Sequence, residues 1–543
     1  MSRPLFPFFA GNVPALFLWA CLACPAGAVP APAACPVAGD AMIIGMVGEP
    51  SNLLPGLSSD SSSSEIQQHL YVAPLEYDKN LNVVPYAAES FAVLDGGLRL
   101  RFVLRPGIFW EDGTELTAKD VEFTYKLMIH PDTPTAYAGD YKEIASFALL
   151  GRYGFEVTYA KPFPRSLSTW MRPILPRHAL EGADLRATPL ARKPLSCGPY
   201  RLEDWKSGSR ITLAANPLYF RGRPPLDRII YRVIPDVTTM FLELKSGDLD
   251  VIKEGMTPQQ FLFQTRGEDF SARYTAYSEP AHAYTYLGYN LRSGLFADVR
   301  VRRALAYAIN KEDLVKGSLF GLGIPAIGPY RPGDWAYNAA IADYPHDPEK
   351  ALELLAEAGW RKGEDGVLRR DGLPFAFTLL TNQGNESRIK VAVLLQSQLR
   401  KIGIEVKIRV VEWAAFLKQF VLPGYFDAVI LGWTTTLDPD VYDVWHSSRA
   451  GGLNFVHYAN AEVDDLLERA RSTFDEAARK KFYDRFQEIL HEEQPYCFLY
   501  VPYALSAVQK RFRGVDPAPL GIFYNIHEWW VPLQEQRYRM LSP

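Results

Sequence analysis

The stretch from Ser387 to Val411, "SRIKVAVLLQSQLRKIGIEVKIRVV", constrains the fold more than any other part of the chain. It reads as a helix, a glycine stop at Gly403, and a strand, which is the unit of α/β domains, where helices cover the faces of a sheet. Other segments carry the same alternation. "TAKDVEFTYKLMI" is expected as a helix, with Thr117 as N-cap, Asp120 at the third position, and Val121, Tyr125 and Met128 on one face. "VRVRRALAYAINKEDLVKGSLF" is expected as one long amphipathic helix, and "HDPEKALELLAEAGW" as another, ended by Gly359. Strands are expected in "AMIIGM", "GLRLRFVL", "SRITLAAN", "RIIYRVIP" and "YCFLYVPYAL". No period of 20–50 residues repeats, which excludes a solenoid. With 543 residues the chain is too long for one simple core and is expected to form two to four domains.

The N-terminus reads as an export signal. Arg3 is the only charge before Asp40, and "PLFPFFAGNVPALFLWACLA" is apolar but broken by prolines. Its apolar core falls short of the ~20 residues that a membrane span needs. Two processing sites compete. "AGA" at Ala26–Ala28 suits a signal peptidase and makes residues 1–28 the signal, while "LWAC" resembles a lipobox that makes Cys21 the lipidated first residue. Residues 29–40 form a Pro/Ala-rich tether. The protein is therefore expected outside the cytoplasm, in the periplasm or cell envelope, with a lipid anchor at Cys21 as its one means of membrane attachment. Cys197 and Cys497 lie in the folded body, and an oxidising compartment permits a disulfide between them without establishing one.

The formal net charge of −4 gives no reason to expect a nucleic-acid partner. Catalytic signatures are absent: there is no G-x-x-x-x-G-K-[ST], H-E-x-x-H or G-x-S-x-G. The nine histidines are scattered. Asp438, Asp440 and Asp443 echo a calcium loop but lack its glycine and its closing glutamate. No enzyme, metal or cofactor is expected.

Five segments in one order carry a family resemblance. They are "RFVLRPGIFWEDGTELTAKDVEFTYKLM", the run from Cys197 to Ile252, "YLGYNLRSGLFADVRVRRALAYAINKEDLV", "ALELLAEAGW" and "FDAVILGWTTTLDPD". Together they resemble the extracytoplasmic solute-binding proteins of family 5, the oligopeptide, dipeptide and nickel binders of ABC importers, in the branch called peptide-binding proteins. The resemblance implies a periplasmic-binding-protein-like α/β fold of type II (cluster C), with two lobes, three domains and a ligand cleft between the lobes. On that pattern domain I is built from 41–76, 198–284 and 502–543, domain II from 77–197 and domain III from 285–501. The family usually has threonine where Cys197 stands.

The resemblance also implies a function: a monomeric receptor that captures peptides or peptide-like solutes and delivers them to permease and ATPase subunits. Rivals on the same scaffold are receptors for a nickel chelate, an oligosaccharide or an opine-like compound, and a sensory receptor; a rival of another class is an extracytoplasmic hydrolase. The expected ligand wall is "LGWTTT": Gly432 lets a ligand backbone approach, and Thr434 and Thr436 favour extended structure. Trp433 either stacks on ligand or packs into its own lobe. By resemblance Trp413 lines the pocket, Asn52 and Tyr137 face the cleft from the first lobe, and Asn454 lies at the cleft mouth. Arg388 stands near a carboxylate-binding arginine of dipeptide binders, and bidentate capture suits it. Two departures matter. Thr436 stands where many relatives keep an amine-binding aspartate, and Ile430 where many keep a pocket arginine.

Overall fold

The computed structural model describes residues 37–58, 60–135 and 137–538. The export segment, Cys21 and the tether up to Pro36 lie outside the described residues.

Among the described residues the largest sheet has twelve strands. It runs from Glu405–Val411 through Ala376–Asn382, Ala428–Thr434 and Ala283–Tyr289 to Tyr496–Gln509. From there it continues through Val251–Ile252, Ala41–Met46, Arg228–Val233 and Arg210–Ala215 to Tyr200–Lys206. The 14-residue strand Tyr496–Gln509 joins the two halves. Its first part pairs with Ala283–Tyr289 and its last with Tyr274–Pro280. Both ends are buried, whereas Pro502, Tyr503 and Ala504 between them are not. Pro502 has no N–H to give to a ladder, and its carbonyl accepts the Ala281 N–H at 2.9 Å.

A separate four-stranded antiparallel sheet is made from Ala88–Leu94, Arg99–Leu104, Gly154–Tyr159 and Ile144–Leu150. Phe102 stacks on Phe155 with ring centroids 4.6 Å apart, and Phe147 on Phe155 at 5.3 Å. The helix Ala118–Ile129 starts where expected, because the Asp120 carboxylate accepts the Thr117 N–H at 2.8 Å and closes a capping box.

The expected single helix after Asp298 is two, Val299–Ala308 and Lys311–Leu319. Ile309 is extended, and the Asn310 side chain caps the second helix by accepting the Asp313 N–H at 3.0 Å. The break is held from elsewhere: Gln398 accepts the Asn310 N–H at 3.0 Å and donates to the Asn310 carbonyl at 3.3 Å. One side chain thus satisfies both backbone groups that the interrupted helix leaves open. Cys197 and Cys497 are both buried and unpaired.

At the start of the described chain, fully buried Asp40 binds Arg511 and accepts the Tyr538 N–H at 2.8 Å. Arg511 also binds Asp250 at 2.8 Å, so the first strand is tied to the C-terminal segment through a buried charge cluster.

Candidate functional site

The segment "LGWTTT" is the end of strand Ala428–Thr434. One edge of that strand is fully paired: Thr285 opposes Gly432, Tyr284 opposes Trp433 and Ala283 opposes Thr434. The other edge pairs with Ala376–Asn382 only at Leu379–Ala428 and Leu380–Val429. From Ile430 to Thr434 no strand among the described residues pairs with that edge. Backbone donors and acceptors there can pair with an extended ligand as an added strand would.

Arg388 sits over this edge at the start of helix Glu386–Lys401, whose N-cap Asn385 accepts the Arg388 N–H at 3.0 Å. With Ser387, Thr285, Tyr500 and Gly432 it lines a cavity of about 240 Å³. Its Nη1 donates to Asn382 Oδ1 at 2.9 Å, and among the described residues no carboxylate lies within ion-pair distance of it. Burial lowers the pKa of its guanidinium, offset in part by Tyr500 and Tyr286. A half-buried cation at a helix N-terminus, with no anion beside it, favours an anionic guest. Gly432, expected to let a ligand backbone approach, also leaves room for this arginine. A side chain at 432 would put its Cβ 2.9 Å from Arg388 Nη2 and 2.9 Å from the Tyr284 carbonyl, so the space belongs to the receptor's own arginine.

Trp433, Thr434 and Thr436 line a second cavity of about 190 Å³ with Tyr330, Asp438 and Arg165. Trp433 packs in parallel on Phe455 at 6.1 Å, within its own hydrophobic cluster. Thr436 Oγ1 donates to the Asp438 carbonyl at 2.7 Å and so braces the turn. Each carboxylate around this cavity has a basic partner. Asp438 binds Arg479, Asp440 binds Arg471 at 2.9 Å, Asp443 binds Arg449 at 3.1 Å and Asp334 binds Arg331 at 2.8 Å. Asp440 also lies 3.6 Å from Arg165, a contact between the strand-end turn and the segment after the four-stranded sheet. Burial raises the Asp440 pKa against the pull of Arg471.

Tyr137 lines a third cavity, of about 520 Å³, together with residues 55–86 and 520–527. The Arg172 guanidinium lies over the Tyr137 ring, 3.9 Å from its centroid.

Three expected residues stand apart from these cavities. Asn52 forms a local turn, accepting the Leu54 N–H at 2.9 Å and donating to the Leu57 carbonyl at 3.2 Å. Trp413 is 45% exposed and its ring lies 6.1 Å from that of Phe416, tilted by 31°, just before the π-helical turn Phe416–Val421. Asn454 is fully buried, and its side chain clasps its own loop, donating to the His446 and Tyr458 carbonyls at 3.1 and 2.8 Å. It has no group left for a ligand, because Oδ1 accepts the Tyr458 N–H at 3.0 Å. Sequence reasoning missed Arg165, Tyr330 and Asp334. They carry no motif and reach the cavity only through the tertiary fold.

The chain is similar to known solute-binding proteins in sequence and in fold. The model of "Bacterial extracellular solute-binding proteins, family 5 Middle" matches residues 82–454. The oligopeptide-binding protein AppA of Bacillus subtilis is 37% identical over 507 residues, 91% of this chain and 92% of AppA. The solved structure of AppA in complex with a nonapeptide superposes with a TM-score of 0.76 at 36% identity, covering 92% of this chain and 100% of that one. NikZ from Campylobacter jejuni in complex with Ni(L-His) gives a TM-score of 0.77 at 28% identity, covering 90% and 99%.

Proposed function

Because the chain belongs to family 5 of the bacterial extracellular solute-binding proteins, we propose that it is an exported receptor that captures peptides or peptide-like solutes for an ABC importer. The relative AppA is named for oligopeptide binding and holds a nonapeptide. The observation that carries the reading here is the unpaired edge from Ile430 to Thr434 with Arg388 above it. The edge offers backbone hydrogen bonds to an extended chain whatever its side chains, and the arginine offers a partner for a carboxylate.

The receptor works without covalent chemistry, as a monomer that hands its ligand to permease and ATPase subunits. Domain I takes 41–76, 198–284 and 502–543, domain II 77–197 and domain III 285–501. The less buried stretch Pro502–Ala504 in the middle of the joining strand supports one crossing between lobes. A ligand that contacts both lobes stabilises the closed arrangement. No described helix is long and apolar enough to cross a membrane, and the chain is held at the cell envelope either as a soluble periplasmic protein or through lipidated Cys21. Intact mass of the mature protein distinguishes these.

Calorimetry and thermal shift with synthetic peptides of two to nine residues test the function. Binding with a raised melting temperature and a smaller radius of gyration is expected. No shift and no closure across peptides of every length would overturn it.

A further inference from the structure

We infer that Phe474, seated on Gly97, is the centre of a clasp between domain III and domain II that draws the two lobes together without help from a ligand; this rests on the receptor reading above. Phe474 stands between two closed helix ends. Thr473 Oγ1 donates to the Arg469 carbonyl at 2.9 Å after helix Ala461–Ser472, and Asp475 accepts the Ala478 N–H at 2.7 Å to start helix Glu476–Glu493. With the backbone fixed on both sides, the ring is presented with little conformational freedom left to lose. It reaches out of its own domain. Among the described residues, Phe474 is the one residue of 285–501 that packs against the hydrophobic cluster containing Leu100, Phe102 and Phe155.

Gly97 lies in the turn between strands Ala88–Leu94 and Arg99–Leu104 of the four-stranded sheet. It is buried and has φ +97°. A Cβ at this position would stand 2.1 Å from Phe474 Cδ2 and Cε2, so the ring fills the space that a side chain would need. The glycine thus serves a left-handed turn and a close approach between domains at once.

Polar contacts flank this seat. Arg471, three residues before Phe474, binds Asp440 at 2.9 Å and lies over the ring of buried Phe163, 5.6 Å from its centroid. Arg165 reaches the same carboxylate at 3.6 Å, so Asp440, whose side chain is 3% exposed, is shared by one arginine from each lobe. Gly97, Phe163, Arg471 and Phe474 line none of the three cavities described. Their contacts are made by protein groups alone and exist while the lobes are together. Contacts made in one arrangement and lost in the other shift the equilibrium by their own free energy, whether or not a ligand is bound. A ligand then binds a receptor that already leans toward closure, and every ligand gains by the same factor. The clasp raises affinity without choosing between ligands.

The test uses the full-length mature protein as wild type, Phe474→Ala, Gly97→Ala and the double variant, with melting curves confirming that each folds. The first readout is small-angle X-ray scattering without peptide. The radius of gyration is expected to be larger in Phe474→Ala and in Gly97→Ala than in wild type. In the double variant it is expected to equal that of Phe474→Ala, because the added methyl group has no ring to strike. Backbone strain at Gly97 lowers the melting temperature in both backgrounds and leaves the radius alone, so the two effects separate. The second readout is calorimetry with hexa-alanine and with hexapeptides carrying one lysine, glutamate or phenylalanine. Phe474→Ala is expected to weaken each peptide that wild type binds by at least fivefold and by the same factor. Unchanged affinity, or losses that differ between peptides, overturns the clasp while leaving peptide capture standing. If no hexapeptide binds wild type, the peptide reading falls and scattering alone decides: an unchanged radius in Phe474→Ala overturns the clasp, and a larger one upholds it.

Discussion

Arg479 grips Asp438 as a fork, with Nη1 3.2 Å from Oδ2 and Nη2 3.2 Å from Oδ1. Both side chains are largely buried, at 8% and 14% exposure. Burial pulls the Arg479 pKa down, but the Asp438 carboxylate outweighs it and holds the guanidinium charged. Asp438, four residues beyond the strand end, is therefore bound to the receptor itself and is not free to meet a ligand ammonium.

That pairing predicts a large stability effect with a small effect on ligand choice. Arg479→Met leaves a buried carboxylate alone and is expected to cost about 3–5 kcal/mol in denaturant unfolding. Asp438→Asn is expected to leave the affinity ratio of free to N-acetylated peptides near one. A drop of tenfold or more for free peptides alone would show that Asp438 does receive the ammonium.

Arg388 is expected to act at the other charge. Arg388→Met should weaken peptides with a free C-terminal carboxylate by about 1.5–3 kcal/mol, the range for a charged hydrogen bond. C-amidated peptides should lose nothing further. Isothermal titration of the two peptide forms against both proteins gives a double cycle, and a coupling near zero would place the carboxylate elsewhere.

Gly432→Ala adds a Cβ 2.9 Å from both Arg388 Nη2 and the Tyr284 carbonyl. The carbonyl belongs to a paired strand and cannot move freely, so the arginine must. Overpacking of this kind costs about 1–3 kcal/mol. The expected result is a modestly lowered melting temperature with a larger loss of carboxylate selectivity, read by the same pair of peptides.

His69 supplies a pH dependence. It is fully buried, donates or accepts at Tyr231 Oη over 2.9 Å, and has its pKa lowered to about 3, first by burial and then by the charges of His527 and Lys253. The unfolded chain binds this proton below about pH 6.5 and the folded chain does not, so stability falls as pH drops from 6.5 toward 3. The loss from this group is expected to be about 2 kcal/mol at pH 5. Urea unfolding at pH 8 and pH 5 should show it, and His69→Gln should flatten it; an equal slope in the variant would assign the effect to other groups.

Much of the architecture was legible because its causes are local. The capping box of Thr117 and Asp120, the glycine stop at Gly403 (φ +90°) and the alternation of "RIIYRV" act over a few residues and read directly as elements. The break at Ile309 was not legible, because Asn310 in a helical pattern is common and the side chain that fixes the break, Gln398, comes from another helix. The same division runs through the site. Residues in "LGWTTT" were recognisable by type and by family resemblance, and so was the missing acid at Thr436. What each charge does was not, since Asp438 and Asp440 are defined by Arg479, Arg471 and Arg165, which are remote in the chain.

By itself, then, the sequence determined the α/β alternation and the family, because these depend on periodicity, short-range hydrogen bonds and the order of recognisable segments. Only the tertiary structure decided which edge of the strand stays open, that Gly432 makes room for Arg388, and that the nearby carboxylates are neutralised. Those outcomes depend on pairing and burial between residues far apart in the chain, and the energies of such pairs follow from distance and desolvation, which no local pattern contains.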